Sequence, residues 1–170
     1  MNMRARGPCS TVSISKIVSG AQTGVDRAAL DVAIGRGIDH GGWVPKGRIA
    51  EDGRIPAIYR VTETGTSRYA ERTRRNVIDS DGTLIIYEGA MSGGTLLTRR
   101  CVREAGKPVL AVDLGTTTAA DAASRIRAWI GENRIRVLNV AGPRESERRG
   151  IYGRARGLLI EVFGPAGRPG

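Results

Sequence analysis

Three short stretches of this sequence join glycine to small hydroxyl or amide side chains in a way that suits holding an anion. In Ser19-Gly20-Ala21-Gln22-Thr23-Gly24-Val25-Asp26, Gly20 and Gly24 allow close backbone approach, while Gln22 and Thr23 supply side-chain hydrogen bonds. Taken alone this is a weak signal, because any tight turn tolerates glycine. Asp26 reads equally well as a carboxylate set against a helix N-terminus. The second stretch, Ser92-Gly93-Gly94-Thr95, is more specific. Two glycines before a helix start expose consecutive amides, which form an anion-binding nest for a phosphate or oxyanion. It is not a Walker A loop, since no lysine follows the glycines. The third, Asn139-Val140-Ala141-Gly142-Pro143-Arg144-Glu145-Ser146, ends a strand in an amide and turns at Gly142-Pro143. Pro143 suits the first turn of a following helix. Arg144 has no such structural explanation, and its guanidinium is suited to a bidentate grip on phosphate.

Other residues carry less. Lys46, one of three lysines, lies between Pro45 and Gly47 where a long loop begins, and joins the candidate ligand-binding set. Glu51 and Asp52 could act as paired acids, but adjacent loop residues point apart more often, and ordinary exposed carboxylates are the better reading. His40, beside two glycines, reads as a solvated turn residue rather than a general base. Cys101 falls on the inner side of a helix and reads as core. No Ser-His-acid or Cys-His constellation can be assembled, so no catalytic residue is assigned. The candidate ligand-binding set is Gly20, Gln22, Thr23, Gly24, Lys46, Ser92, Gly93, Gly94, Thr95, Asn139, Gly142 and Arg144.

The chain that must position these groups has 170 residues, the size of one domain. A tail over 1–13, a single domain over 14–163 and a second tail over 164–170 are expected, both tails disordered. Lys and Arg number 27 against 17 Asp and Glu, for a net charge of +10. That balance favours a small anionic ligand. Nucleic acid is disfavoured, because only 4% of residues are aromatic and no nucleic-acid-binding motif is readable. No apolar run approaches the length of a membrane span. Cys9, Cys101 and His40 are too few for a disulfide framework or a structural metal site. With no signal-like hydrophobic stretch at the start, a cytoplasmic location is expected.

Hydrophobic spacing then gives the order of elements. Ile14–Ser19 reads as a strand, followed by a helix carrying Val25, Ala29, Val32 and Ala33 on one face. A second strand is expected over Asp39–Pro45, a long functional loop over Lys46–Pro56 and an extended piece over Ile58–Thr62. Next comes a helix near Ser67–Ser80, with Ser67 as its cap, Ala70, Thr73 and Val77 inward, and Arg72 and Arg75 on another face. From Asp81 the alternation is regular: strands at Thr83–Tyr87, Pro108–Asp113 and Arg136–Val140, and helices at Thr95–Ala105, after Thr118, and at Ser146–Phe163. Such alternation implies an α/β fold, Rossmann-like and doubly wound, with a mostly parallel sheet and helices on both faces. Its ligand edge is the carboxyl end of the strands.

The motifs Gly20-Ala21-Gln22-Thr23-Gly24-Val25-Asp26-Arg27, Pro45-Lys46-Gly47-Arg48 with Glu51-Asp52-Gly53, Arg72-Thr73 with Asn76-Val77, Ser80-Asp81-Gly82-Thr83-Leu84-Ile85, Gly93-Gly94-Thr95-Leu96-Leu97-Thr98 and Asn139-Val140-Ala141-Gly142-Pro143-Arg144 occur together. Jointly they resemble the molybdenum carrier family, a branch related to circularly permuted YpsA proteins, over Ile17–Phe163. The resemblance implies a SLOG fold, shared with the DNA-processing protein DprA and the Lonely Guy phosphoribohydrolases. It also implies binding of molybdenum cofactor or another nucleotide-like ligand, often in a homo-oligomer. In the Lonely Guy enzymes the glycine motif ends in a glutamate that helps cleave the ribose–base bond, and here Thr98 stands at that place. A binding module, carrier or sensor, is therefore expected ahead of an enzyme. The alternative is a nucleotide-processing enzyme such as a phosphoribohydrolase, recruiting Glu51, Asp52 or Glu88. A DprA-type single-stranded DNA binder is a third, weaker reading.

Overall fold

A computed structural model of the chain describes residues 13–164. The tails expected to be disordered lie outside these residues except for Ser13 and Gly164, and Cys9 lies outside them too. In chain order the elements are β1 (Lys16–Val18), α1 (Val25–Arg36), β2 (Asp39–Gly41), β3 (Trp43–Val44), β4 (Ile49–Ala50), β5 (Gly53–Arg54) and β6 (Thr62–Glu63). They continue with α2 (Tyr69–Ile78), β7 (Gly82–Tyr87), α3 (Gly93–Ala105), β8 (Val109–Asp113), α4 (Ala119–Glu132), β9 (Val137–Ala141) and α5 (Ile151–Phe163).

Five strands form one parallel sheet in the order β2-β1-β9-β7-β8. Strand β7 is buried from Gly82 to Ile86 without alternation, as a strand covered on both faces must be. On one face α1, α4 and α5 pack together over Leu84, Ile86, Leu138 and Val140. On the other, α2 and α3 pack side by side through Val77, Cys101 and Val102. This is the Rossmann-like, doubly wound α/β architecture expected. Its strand order has a consequence that chain order conceals: β9, last in sequence, lies between β1 and β7. The loops after β1, β7 and β9 therefore leave three adjacent strands at the same edge.

Several local expectations are corrected. The segment Asp39–Pro45 is two strands, because Gly42 takes a left-handed φ of 130° and its Cα lies against the Ser19 carbonyl, where a Cβ would come within 2.1 Å of that oxygen. The turn carries the chain out of the main sheet, and β3 pairs with β6 instead. Within the Lys46–Pro56 loop, β4 and β5 form a small antiparallel hairpin. The segment buries Ala50 and Ile55 with Tyr59, Val44 and the α1 residue Leu30. Helix α2 starts at Tyr69 without a side-chain cap, so Ser67 is not its cap, and Thr66 Oγ1 accepts from the Arg68 amide at 3.3 Å. Ala70 is exposed, while Arg72 and Asn76 are buried beside Thr73 and Val77. Helix α5 starts at Ile151, eight residues beyond Pro143, so Pro143 is not in its first turn. Glu145 explains the late start: its carboxylate accepts from the amides of Gly150 and Tyr152, capping the helix. His40 is buried on β2, where its Nε2 accepts from the Arg60 amide at 3.2 Å, and is not a solvated turn residue.

Two joints fix the edge loops. Asp31 on α1 accepts from the hydroxyls of Tyr59 at 2.7 Å and Tyr152 at 2.6 Å, tying the hairpin segment and α5 to one carboxylate. Burial and that bond push the Tyr152 hydroxyl up to about 12. Gly24, at the N-cap of α1, has φ 78° and lies against the β9–α5 turn, where a Cβ would stand 2.4 Å from the Pro143 carbonyl oxygen. Gly24→Ala is therefore expected to cost at least about 2 kcal/mol, combining backbone strain with a clash against main chain. Urea unfolding would read this as a lower midpoint at unchanged slope. A midpoint equal to wild type would mean that the two turns are free to separate.

Candidate functional site

The loops after β1, β9 and β7 enclose a cleft of about 210 Å³, walled on one side by α2. Gly20 and Gln22 come from the first junction, Gly93, Gly94 and Thr95 from the second, and Asn139, Gly142 and Arg144 from the third. These eight residues of the expected set are thus brought together. The other four do not line the cleft. Thr23 and Gly24 sit behind it, Thr23 Oγ1 donating to Glu51 and accepting from the Glu145 amide at 3.2 Å. Ser92 is the N-cap residue of α3 and makes no side-chain cap bond. Lys46 is exposed on the hairpin segment.

The cleft floor is a buried ion pair that the sequence does not reveal. Asp26, in the first turn of α1, places Oδ2 3.6 Å from Nη1 of Arg72 on α2 and accepts from the Gln22 amide at 3.3 Å. Arg72 Nη1 also donates to the Gly20 carbonyl at 2.7 Å. Burial pushes the Asp26 carboxyl up to about 6, against the opposing pull of Arg72, the Gln22 amide, Arg144 and Arg27. Burial likewise lowers the Arg72 guanidinium, against the pull of Asp26. Both partners are thus shifted toward their neutral forms, so the pair alone does not fully repay its desolvation. Among the described residues, two buried donors on cleft-lining side chains also lack partners, Gln22 Nε2 and Arg72 Nε. Buried polar atoms in native structures are nearly always bonded, and unsatisfied donors at a cleft suit a polar ligand.

Above the floor, the Tyr69 ring has the Arg72 guanidinium 5.2 Å from its centroid and that of Arg144 5.8 Å away. One aromatic ring therefore holds two cations at the cleft, by the attraction of a ring face for positive charge. Asn76 fixes this wall to β3, accepting from the Trp43 amide at 2.7 Å and donating to the Trp43 carbonyl at 3.0 Å. Asn139 donates to Thr83 Oγ1 at 3.2 Å across the two central strands. Thr98 also lines the cleft, but its hydroxyl donates to the Gly94 carbonyl at 3.0 Å within α3.

The carboxylates considered for catalysis are engaged elsewhere. Glu51 accepts from Thr23 and from the amide and hydroxyl of Ser146, joining the first and third junctions. Slight burial works to raise its carboxyl, but those bonds and Arg144 hold it below the usual range. Asp52 forms a two-oxygen pair with Arg27. Glu88 meets Arg148 and Arg154. The carboxylates that do line the cleft are Asp26 and Glu147. Among the described residues no three His, Cys, Asp or Glu side chains are grouped to hold a metal ion, and no helix is long and apolar enough to cross a membrane.

Sequence reasoning placed Asp26 only as a helix-charge partner, put Arg72 on an outer face, and passed over Tyr69 and Glu147. One signal was available for Arg72. In α2 the positions 72, 73, 76 and 77 share a face, and only Val77 among them is apolar. A helix whose buried stripe is polar is one that faces something other than a hydrophobic core.

With this geometry in view, comparison with known proteins is informative. A family model described as the circularly permutated YpsA SLOG family matches residues 17–163. A crystal structure from Syntrophus aciditrophicus SB, described as a "Putative molybdenum carrier protein", is 51% identical. The match covers 89% of this chain and 96% of that one, with a TM-score of 0.87. A search of curated proteins finds no match.

Proposed function

We propose that this chain, which belongs to the circularly permutated YpsA SLOG family, is a carrier or sensor that binds a small phosphorylated ligand, most concretely molybdenum cofactor, in the cleft beyond β1, β9 and β7. The observation carrying this reading is the convergence of three glycine junctions with two arginines and two unsatisfied buried donors on one cavity. Each part has a matching chemical role. The amides at the start of α3 and the guanidinium of Arg144 suit a phosphate. Gln22, Asn139 and the Asp26 carboxyl suit the many donors and acceptors of a pterin or a purine.

The residues fit molybdenum cofactor as cargo: they offer hydrogen bonds to its phosphate and pterin and, among the described residues, no cluster of metal ligands, so the metal would stay with the cofactor. The 51% identity to a protein described as a molybdenum carrier supports the same choice. A cleft of about 210 Å³ is smaller than the usual range for wholly enclosed organic ligands, so part of the cargo would project toward solvent or a second copy of the chain. Native mass spectrometry of protein purified gently from cells that make the cofactor, with elemental analysis for molybdenum, tests this. A bound mass equal to the pterin cofactor with molybdenum present is expected. A nucleotide mass without molybdenum would overturn the choice of cargo while keeping the site.

A second reading, hydrolysis of a nucleotide at its ribose–base bond, is favoured by one observation only. Asp26 is a cleft carboxyl brought near physiological pH by burial, as proton-transferring groups are. Incubation with nucleoside monophosphates and chromatography for free base tests it. Absence of release at high protein concentration counts against it.

A further inference from the structure

Three carboxylates meet at the β9–α5 loop, and they are held very differently. Glu51 is locked by Ser146 and Thr23, and Glu145 caps α5. Glu147 is held loosely, with Arg144 Nε 3.6 Å from its Oε1 and the Arg144 amide 3.4 Å from its Oε2. Glu147 also lines the cleft.

The position it faces is the N-terminus of α3. That helix has no acidic residue in its first turn and no side-chain cap from Ser92. Among the described residues, the Gly93 and Gly94 amides have no hydrogen-bond partner. Glu147 Oε1 lies 3.3 Å from where a Cβ of Gly93 would be, so this carboxylate stands against the uncapped helix start. A 13-residue helix carries a partial positive charge there, and an anion nearby is stabilised by it. Glu147 is thus an internal anion resting between Arg144 and the amides that would otherwise receive a ligand.

We infer that Glu147 is a built-in competitor beside the start of α3, a side chain that an incoming phosphate must displace and that therefore weakens the binding of any anion there. This rests on the cleft being the ligand site. Whatever anion enters, the contact of Glu147 with Arg144 and the helix start is given up first, so every anion loses the same factor in affinity. A terminal phosphate monoester, with close to two negative charges and three acceptor oxygens, regains more from Arg144 and the helix start than a diester, sulfonate or carboxylate does. The freed Glu147 side chain swings toward solvent, which its long contacts permit without disturbing Glu51 or Glu145.

The test uses two fragments that share a methyl ester and differ in charge, methyl phosphate and dimethyl phosphate, at about pH 8, where only the first is a dianion. Binding is followed through the amide signals of Gly93 and Gly94 in ¹H–¹⁵N spectra of the full chain. Wild type is expected to prefer methyl phosphate by roughly tenfold or more, about 1.4 kcal/mol. Glu147→Gln, a near-isosteric change at a partly exposed residue, is expected to tighten both fragments by a similar factor of about threefold or more, with their ratio little changed. Binding of the two fragments that is unchanged or weaker in Glu147→Gln overturns the inference while leaving the site in place. If neither fragment moves these amides in wild type or variant, the ligand site itself is wrong and the inference falls with it.

Discussion

Arg72→Met is expected to destabilise the fold by about 3–5 kcal/mol above neutral pH and by clearly less near pH 5, because it leaves Asp26 buried without its cation. The sign follows from the proton balance. Asp26 has a folded-state pKa of about 6 against an ordinary value of 3.8, so between these values the folded protein binds more protons than the unfolded chain. Its contribution to stability is full below about pH 4 and is lost as pH rises through 6. Removing Arg72 takes away the main pull that keeps this carboxyl from rising further. The variant therefore goes on losing stability at pH values where wild type has levelled off, and the gap between them widens with pH. Methionine keeps much of the arginine stem, which limits the cavity term, although the bond to the Gly20 carbonyl is lost at every pH. Urea midpoints at about pH 5 and pH 8 decide the matter. Equal costs at both would mean that Asp26 is not the group left exposed to desolvation, and that Arg72 matters only as packing and as a donor.

The same pair shows how far the sequence could be read. Apolar runs and glycine stops specified four of the five main strands and the helices between them, because a doubly wound sheet is built from repeated local units, each with its own signal, whereas β2 has no apolar run and was merged with β3. The three glycine junctions were legible for the same reason: each is a contiguous stretch whose residue types suit amides and anions. What joins them is the insertion of β9 between β1 and β7, and strand order depends on packing across the whole sheet. Arg72 was misplaced because in water an arginine belongs on an outer helix face. Only a carboxylate from a different helix, Asp26, and the Gly20 carbonyl make its burial tolerable. Glu51 illustrates the converse. Beside Asp52 in sequence it resembled half of a catalytic pair, yet the hairpin turns it to Ser146, a partner 95 residues away. Pair chemistry cannot be read from adjacency when the turn that aims each side chain is unknown.

Gly94→Asp is expected to separate binding from folding, with phosphate-fragment binding reduced at least a hundredfold, about 2.7 kcal/mol, and the fold left intact. A Cβ at Gly94 would meet nothing within 4 Å, so the side chain has room, and this glycine is not among those with positive φ. As the second residue of α3, an aspartate there complements the helix start and should stabilise it by some tenths of a kcal/mol. The same carboxylate lies in the cleft, since Gly94 is part of its lining. Unlike Glu147, it is fixed to the helix by a single carbon and cannot be displaced by swinging away. The variant thus tests whether the uncapped start of α3 has been left without an acid at some cost in stability, as a site reserved for ligand requires. The expected pair of results is an unchanged circular dichroism spectrum with an equal or raised urea midpoint, together with loss of the methyl phosphate response and of any co-purifying cargo mass. Wild-type affinity in Gly94→Asp would exclude the glycine nest as the anion seat and move the ligand's charged end toward Arg72 and Tyr69. A fall in the midpoint would show instead that α3 begins under constraints that its geometry does not explain.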